Sequence, residues 1–239
     1  MFQWKPGMVP FMRDAAEYGP YYERLAQALR PNLRADWRIC DAGCGLGYLS
    51  LALAPWVRQV TAVDVCAEAL QVLRENCRTR EIGNLDIRQE DIRTVETERP
   101  FDAMVFCCFG DMEEILAAGK RLCDGTLFCL IPEEDTFSFS PGSVRRPHNP
   151  FQRAWRCLEE RRIPFESRTL ELEFGQPFRS LADARRFFEV YRRTGDRTPL
   201  NDAAVRGRLR ETGERAFPLY LPHPKTIGFL TFETKHIPT

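Results

Sequence analysis

The chain has 239 residues, 44% of them hydrophobic and 28% charged, which suits one globular α/β domain with some additional elements. Lysine plus arginine and aspartate plus glutamate both number 34, and this balance argues against a polyanionic partner such as nucleic acid or a membrane surface. No apolar run reaches the roughly 20 residues that a membrane span requires.

Two short helices are expected first, at residues 9–18 and 21–30. They are separated by Gly19-Pro20, and Pro31 ends the second. Several aromatic residues lie in or just before these helices, and they either pack internally or cover a ligand. They are Trp4, Phe11, Tyr18, Tyr21 and Tyr22. The opening residues have neither the charged nor the apolar region of a signal peptide, so we expect a cytoplasmic protein.

From residue 36 the pattern alternates between strand and helix. Short apolar runs predict strands at 38–41, 59–64, 85–88, 101–108 and 125–131, and amphipathic spacing predicts helices at 48–54, 67–78 and 111–121. Alternation of this kind predicts a mostly parallel sheet with helices on both faces.

Beyond Pro132 the regularity weakens. We expect a polar loop at 133–150, helices at 151–161, 181–193 and 202–211, and strands at 167–174 and 226–234. The chain is therefore read as a single domain. Its N-terminal helical cap is 1–35, its core is 36–175 and 224–239, and a helical insertion occupies 176–223.

The nine cysteines form no C-x-x-C pair, and there are only three histidines. Reduced thiols and no metal site are the expectation. Cys107-Cys108, at the end of the fourth strand, is expected to contribute packing more than chemistry, because the sequence shows nothing nearby that lowers a thiol pKa.

A glycine-rich loop, Asp41-Ala42-Gly43-Cys44-Gly45-Leu46-Gly47, joins the first strand to the next helix. Glycines there let backbone N–H groups and the helix N-terminus approach a ligand. A dinucleotide fingerprint would need its third glycine at position 48, which is Tyr48, and the Asp41 carboxylate would repel a pyrophosphate. The loop favours a ligand with an ammonium and a carboxylate group.

Acidic residues follow the next two strands. Asp64 ends the second strand, where a carboxylate accepts hydrogen bonds from ribose hydroxyls; capping the helix from residue 67 is the alternative. Asp91 follows the third strand, where it can accept from an adenine amino group while Ile92 packs on the ring. Cys107 lies at the expected switch point of the sheet.

Together these segments resemble the Rossmann-like class I S-adenosylmethionine-dependent methyltransferases. Residues 39–47 are similar to the family's first motif, V-L-D-x-G-C-G-x-G, and Val63-Asp64-Val65 and Glu90-Asp91-Ile92 match its ribose and adenine positions. The resemblance covers about residues 36–132. It implies a seven-stranded, mostly parallel sheet with an antiparallel last strand, and these cofactor-binding residues: Asp41, Gly43, Cys44, Gly45, Gly47, Asp64, Val65, Asp91, Ile92 and Cys107.

The resemblance also implies S-adenosyl-L-methionine as cofactor, S-adenosyl-L-homocysteine as product, and in-line methyl transfer to a small-molecule or carrier-bound acceptor. No catalytic residue is identified; His148 and Asp111 are candidates for a general base. Cys108-Phe109-Gly110-Asp111 stands where amino-type nucleic-acid methyltransferases carry Asn/Asp-Pro-Pro-Tyr/Phe/Trp. We therefore do not expect a nucleic-acid partner. We also expect no membrane partner, and we expect the protein to be a monomer or a homodimer.

Two alternatives stay open at this point. One is a non-catalytic S-adenosylmethionine-binding protein. The sequence shows no evident catalytic base, and this does not decide between the two because positioning alone can suffice for methyl transfer. The other is a nicotinamide-dependent oxidoreductase.

Overall fold

The structure is a computed structural model that describes residues 4–133, 139, 149–192 and 195–238. Its helices are α1 (Met8–Tyr18), α2 (Tyr21–Leu29), α3 (Tyr48–Leu53), α4 (Ala67–Thr79), α5 (Met112–Leu122), α6 (Pro150–Glu160), α7 (Leu181–Val190) and α8 (Asp202–Arg206). Its strands are β1 (Arg38–Ala42), β2 (Gln59–Asp64), β3 (Leu85–Gln89), β4 (Phe101–Cys107), β5 (Cys123–Pro132), β6 (Glu166–Glu173), β7 (Gln176–Phe178), β8 (Arg210–Glu211), β9 (Leu219–Leu221) and β10 (Pro224–Glu233).

Seven strands form the central sheet in the order β3-β2-β1-β4-β5-β10-β6. β10 runs antiparallel to both of its neighbours, and β1 to β5 pair in parallel. The predicted fold class is confirmed. Because β4 lies beside β1 and not beside β3, the strand order reverses between β1 and β4, and such a reversal opens a crevice at the carboxyl ends of the strands.

Strand β4 shows why this sheet is covered on both faces. Its apolar run is almost completely buried, and its residues alternate between two separate hydrophobic clusters. Met104 and Phe106 pack with α5 and α6, whereas Ala103 and Val105 pack with α2 and α3. Successive side chains of a strand point to opposite faces of the sheet, so a strand that is apolar at every position needs helices on both faces to bury it.

The segment 176–223 was predicted to be helical, and this is only partly correct. It contains α7 and α8 but also a second, three-stranded sheet of order β7-β9-β8. The predicted helix at 202–211 ends early, because Gly207 caps α8 and residues 210–211 pair with β9. Strands of two or three residues are too short to give a periodic signal.

Helix α1 packs against this segment, and we call α1 together with residues 176–223 the cap. The Phe11 ring meets the rings of Phe178 and Phe187 edge to face. The Arg179 guanidinium forms an ion pair with Asp14, whose side chain is 8% exposed. The predicted N-terminal helices are confirmed, and α1 is joined to the insertion through these contacts.

None of the helices in the described ranges has the length and hydropathy of a membrane span. Residues 134–138 and 140–148 of the predicted loop, which include Arg145, Arg146 and His148, lie outside the described residues.

Candidate active site

The glycine loop turns the chain sharply from β1 into α3. The N–H groups of Gly43 and Cys44 both donate to the carbonyl oxygen of Val63, at 2.8 and 3.0 Å. Gly43 has a φ of +70°, and a Cβ there would lie 2.2 Å from the ring of Phe109. The loop therefore needs glycine at this position, both for its left-handed backbone and for the close approach of Phe109.

Gly47 has a packing role that the sequence did not indicate. It precedes α3 with a φ of +73°, and a Cβ there would lie 2.4 Å from the Leu73 side chain of α4. It does not line the cavity described below. The third glycine thus serves the packing of α3 against α4, and its position gives no support to the predicted contact with a cofactor.

Asp64 binds the glycine loop from the end of β2. Its Oδ2 accepts from the Gly45 N–H and its Oδ1 accepts from the Cys66 N–H, both at 2.8 Å. The N-cap of α4 is Cys66, so Asp64 does not occupy the capping position that was the alternative prediction. A carboxylate oxygen accepts more than one hydrogen bond, so both oxygens keep capacity for a ligand.

Asp41 lies at the bottom of the site and is only 1% exposed. The Ser50 hydroxyl donates to its Oδ2 at 2.5 Å. Burial raises the pKa of Asp41 to about 6; the bond from Ser50 lowers it and the nearby charge of Asp64 raises it further. The Asp41 carboxylate is thus mostly anionic near pH 7.

Asp91 and Ile92 follow β3 at the next position along the sheet. The guanidinium and the N–H of Arg93 hydrogen-bond to the Asp91 carboxylate, and these bonds lower the pKa of Asp91. Ile92 is 4% exposed and packs in the core beneath the cavity. Val65, which follows Asp64, is 54% exposed and offers an apolar surface to the cavity.

Cys108 adopts a left-handed backbone, with a φ of +53°, directly after β4. A hydrogen bond from the Cys107 thiol and the positive charge of Lys225 lower the pKa of Cys108, an exposed residue, to about 7. The expectation that nothing near this pair lowers a thiol pKa is therefore wrong. Lys225 is 117 positions away in the sequence, and only the pairing of β10 with β5 brings it near.

These residues line one cavity of about 650 Å³ at the carboxyl ends of the strands. Apart from Gly47, every residue predicted to bind the cofactor lies in its wall. Asp111 does not; its side chain accepts from the Glu114 N–H at 3.0 Å and caps α5, which leaves it poorly placed for a general base. The other candidate base, His148, lies outside the described residues.

The cavity has two chemically different halves. The acidic half lies at the ends of β1, β2 and β3 and is defined by Asp41, Asp64, Glu90 and Asp91. The aromatic half lies beyond the reversal point, and it is defined by Tyr21, Tyr22, Phe109, Phe139, Phe174, Tyr191, His223 and Lys225. Sequence reasoning offered Tyr21 and Tyr22 as ligand-covering candidates but missed the others from β6, β10 and the cap.

His223 and Tyr21 show how strongly the aromatic half is desolvated. Burial lowers the pKa of His223 to about 3, with a further contribution from the Lys225 charge, so this imidazole is neutral near pH 7. Burial also raises the pKa of Tyr21 well above its usual value. Its ring packs against Phe174 with centroids 4.4 Å apart.

The part of the chain that forms most of the parallel strands matches a known protein family. Residues 39–124 match the family described as methyltransferase domain. A tRNA (uracil-5-)-methyltransferase homolog A of Mus musculus is 39% identical over 57 residues, which are 23% of this chain and 9% of that protein. A ubiquinone biosynthesis O-methyltransferase of Xanthomonas campestris pv. campestris is 34% identical over 80 residues, 33% of this chain and 32% of that protein.

The chain thus matches less than a third of the length of either curated relative. Among solved structures, protein BH2331 of Bacillus halodurans C-125 superposes with a TM-score of 0.59, covering 90% of this chain and 99% of that one. Its sequence identity is 14%, so it supports the fold alone.

Proposed function

The chain carries a methyltransferase domain of the Rossmann-like class I family, and from this premise we propose that it binds S-adenosylmethionine and methylates a small-molecule acceptor. The observation that carries the proposal is the junction of Asp64 with the glycine loop. It places a carboxylate, the Gly45 backbone and the exposed Val65 side chain in one wall of the cavity.

The acidic half fits this cofactor in three respects. Gly45 lines the cavity with its backbone, and a Cβ there would meet only the Trp4 ring, at 3.4 Å. Asp64 retains acceptor capacity for two ribose hydroxyls, and Asp91 and Val65 offer a carboxylate and an apolar surface for adenine. Asp41 and Asp64 would also tolerate the ammonium of the methionine end, whereas they would repel the pyrophosphate of a dinucleotide.

The bound cofactor would supply an electrophilic methyl group. The residues of the chain contribute orientation and desolvation, which are the main protein contributions to a displacement of this kind. In the aromatic half, the side chains of Tyr21, Phe174 and His223 are at most 6% exposed, which favours a desolvated acceptor site. No described residue is assigned as general base.

The choice of a small molecule over RNA rests on charge. Among the described residues, the lysines in the cavity wall are Lys5 and Lys225, and the Lys5 ammonium already donates to the Arg192 carbonyl oxygen at 3.2 Å. RNA binding usually requires a basic patch or stripe, and this chain has no excess of positive charge. Similarity to a tRNA methyltransferase over 57 residues supports the shared cofactor domain more than a shared substrate.

Two measurements test the proposal. Thermal unfolding should be shifted upward by S-adenosylmethionine and S-adenosylhomocysteine but not by NAD or NADP. In cell extract supplied with methyl-tritiated S-adenosylmethionine, added protein should transfer label to the low-molecular-weight fraction. Stabilisation by the dinucleotides alone would disprove cofactor binding, and label appearing only in RNA or protein would disprove the small-molecule acceptor.

A further inference from the structure

Lys225 places a positive charge in the wall of the aromatic half. It lies at the start of β10, opposite Leu172 of β6, and its side chain is half-buried. The ammonium sits over the ring of Phe174, with Nζ 5.1 Å from the ring centroid. Lys225 lines the cavity together with Cys108 and His223, and its charge lowers the pKa of both.

No carboxylate of the described residues forms an ion pair with Lys225. Glu173 of β6 lies opposite Pro224, the residue before Lys225, but its carboxylate is already engaged, because its Oε1 accepts from the Tyr220 hydroxyl at 2.9 Å and from the His223 N–H at 2.6 Å. The acids of the acidic half come from β1 to β3, on the other side of β4. His223 is neutral and supplies no counter-charge.

A cation in an aromatic wall selects for a particular ligand chemistry. Rings offer flat apolar surfaces on which a planar molecule packs, and the polar groups among them fix its orientation. A half-buried ammonium is stabilised by an anion that takes the place of lost water. The combination therefore favours a ligand with an aromatic body and an acidic substituent.

Building on the proposed function, we infer that the methyl acceptor is a planar aromatic acid. Its anionic group pairs with the Lys225 ammonium, and its ring packs on the wall formed by Tyr21 and Phe174. Lys225 is then a residue that determines acceptor specificity, and it is separate from the groups that hold the cofactor.

The test measures acceptor binding in the presence of saturating S-adenosylhomocysteine. Isothermal titration compares 1-naphthoate with 1-naphthamide, and benzoate with benzamide, so that each pair differs in charge and hardly in shape. The unaltered protein should bind each acid about tenfold more tightly than its amide, as expected for one charge-assisted contact. Lys225→Met should remove this preference, and Lys225→Arg should retain most of it.

Two controls accompany the variants. Lys235→Met removes the same charge at an exposed position outside the cavity, and it should leave the preference unchanged. S-adenosylhomocysteine affinity should be the same in all variants, which also shows that they are folded.

The inference is overturned if the amides bind as tightly as the acids, if neither member of either pair binds, or if Lys225→Met keeps the preference. If S-adenosylhomocysteine does not bind the unaltered protein, the proposed function fails instead, and the two failures are therefore distinguishable.

Discussion

The two halves of the cavity are built in different ways. The acidic half is formed by consecutive strand ends, and backbone hydrogen bonds hold its loop to the neighbouring strand. The aromatic half is assembled from α2, the far edge of the sheet and the cap, through ring contacts between segments distant in sequence. The first construction leaves little freedom for substitution. In the second, Tyr21 and Phe174 also pack in the hydrophobic cluster on the sheet, whereas Tyr191 and Lys225 lie outside that cluster.

This difference is consistent with the two proposed functions, cofactor binding in the acidic half and acceptor binding in the aromatic half. A cofactor shared by many enzymes needs the same cradle each time, and the acidic half resembles its relatives for that reason. Under the proposed function, the acceptor would be met mainly by residues outside 39–124, the range that matches the methyltransferase domain family. The predictions below separate the halves, beginning with the largest expected effect.

Gly47→Ala should damage the acidic half most. A left-handed φ and overlap with Leu73 should together lower the free energy of unfolding by about 2–4 kcal/mol, measured by urea denaturation. Gly213→Ala shares the positive φ but meets open space, and Gly83→Ala has neither problem. If Gly47→Ala costs no more than Gly213→Ala, the packing role assigned to Gly47 is wrong.

Asp64→Ala should weaken cofactor binding, which is the function proposed for the acidic half. It removes charge-assisted hydrogen bonds to the ribose, so S-adenosylhomocysteine should bind roughly 10- to 100-fold more weakly by isothermal titration. Asp124→Ala, an exposed acid at the opposite edge of the sheet, provides the matched control. Unchanged cofactor affinity in Asp64→Ala would contradict the ribose assignment.

The residues of the acidic half could be predicted from the sequence because they lie at the ends of recognisable strands. Asp64 and Asp91 follow strands that a short apolar run identifies, and parallel strands bring their carboxyl ends to one edge. Lys225 could not be placed this way, because its position depends on β10 lying between β5 and β6. The function of Gly47 was also missed, since only the structure shows that Leu73 packs against it.

The segment 176–223 was predicted to be helical, and its three short strands were not foreseen. Strand β7 pairs with β9 across about 40 residues of sequence, which no local pattern reveals, and β8 and β9 are too short to give a periodic signal. Gly207 was the one local signal that the helix at 202–211 would stop early.

Arg179→Met should affect the cap and leave the acidic half intact. Loss of the pair with Asp14 should cost about 1 kcal/mol of stability, because Arg179 is more than half exposed and its interaction is screened. The naphthoate affinity should fall while S-adenosylhomocysteine affinity stays within twofold. A double-mutant cycle with Asp14→Asn isolates the pair. An equal loss of both affinities would show that the halves are not independent.

The smallest effect is expected in the reactivity of Cys108. Because its pKa is lowered to about 7, alkylation of Cys108 by iodoacetamide should rise with pH around a midpoint near 7. Lys225→Met removes a charge that favours the thiolate, so the midpoint should move to higher pH. Peptide mass spectrometry reads Cys108 separately from the other cysteines. A midpoint above 8 in the unaltered protein would contradict the proximity of Lys225 and the bond from Cys107.

A crystal structure with S-adenosylhomocysteine tests the central claim most directly. We predict that the ribose hydroxyls lie within hydrogen-bonding distance of the Asp64 carboxylate, that adenine contacts Val65, and that the sulfur atom faces the aromatic half. S-adenosylhomocysteine bound elsewhere, or with its sulfur turned away from the aromatic half, would contradict the account.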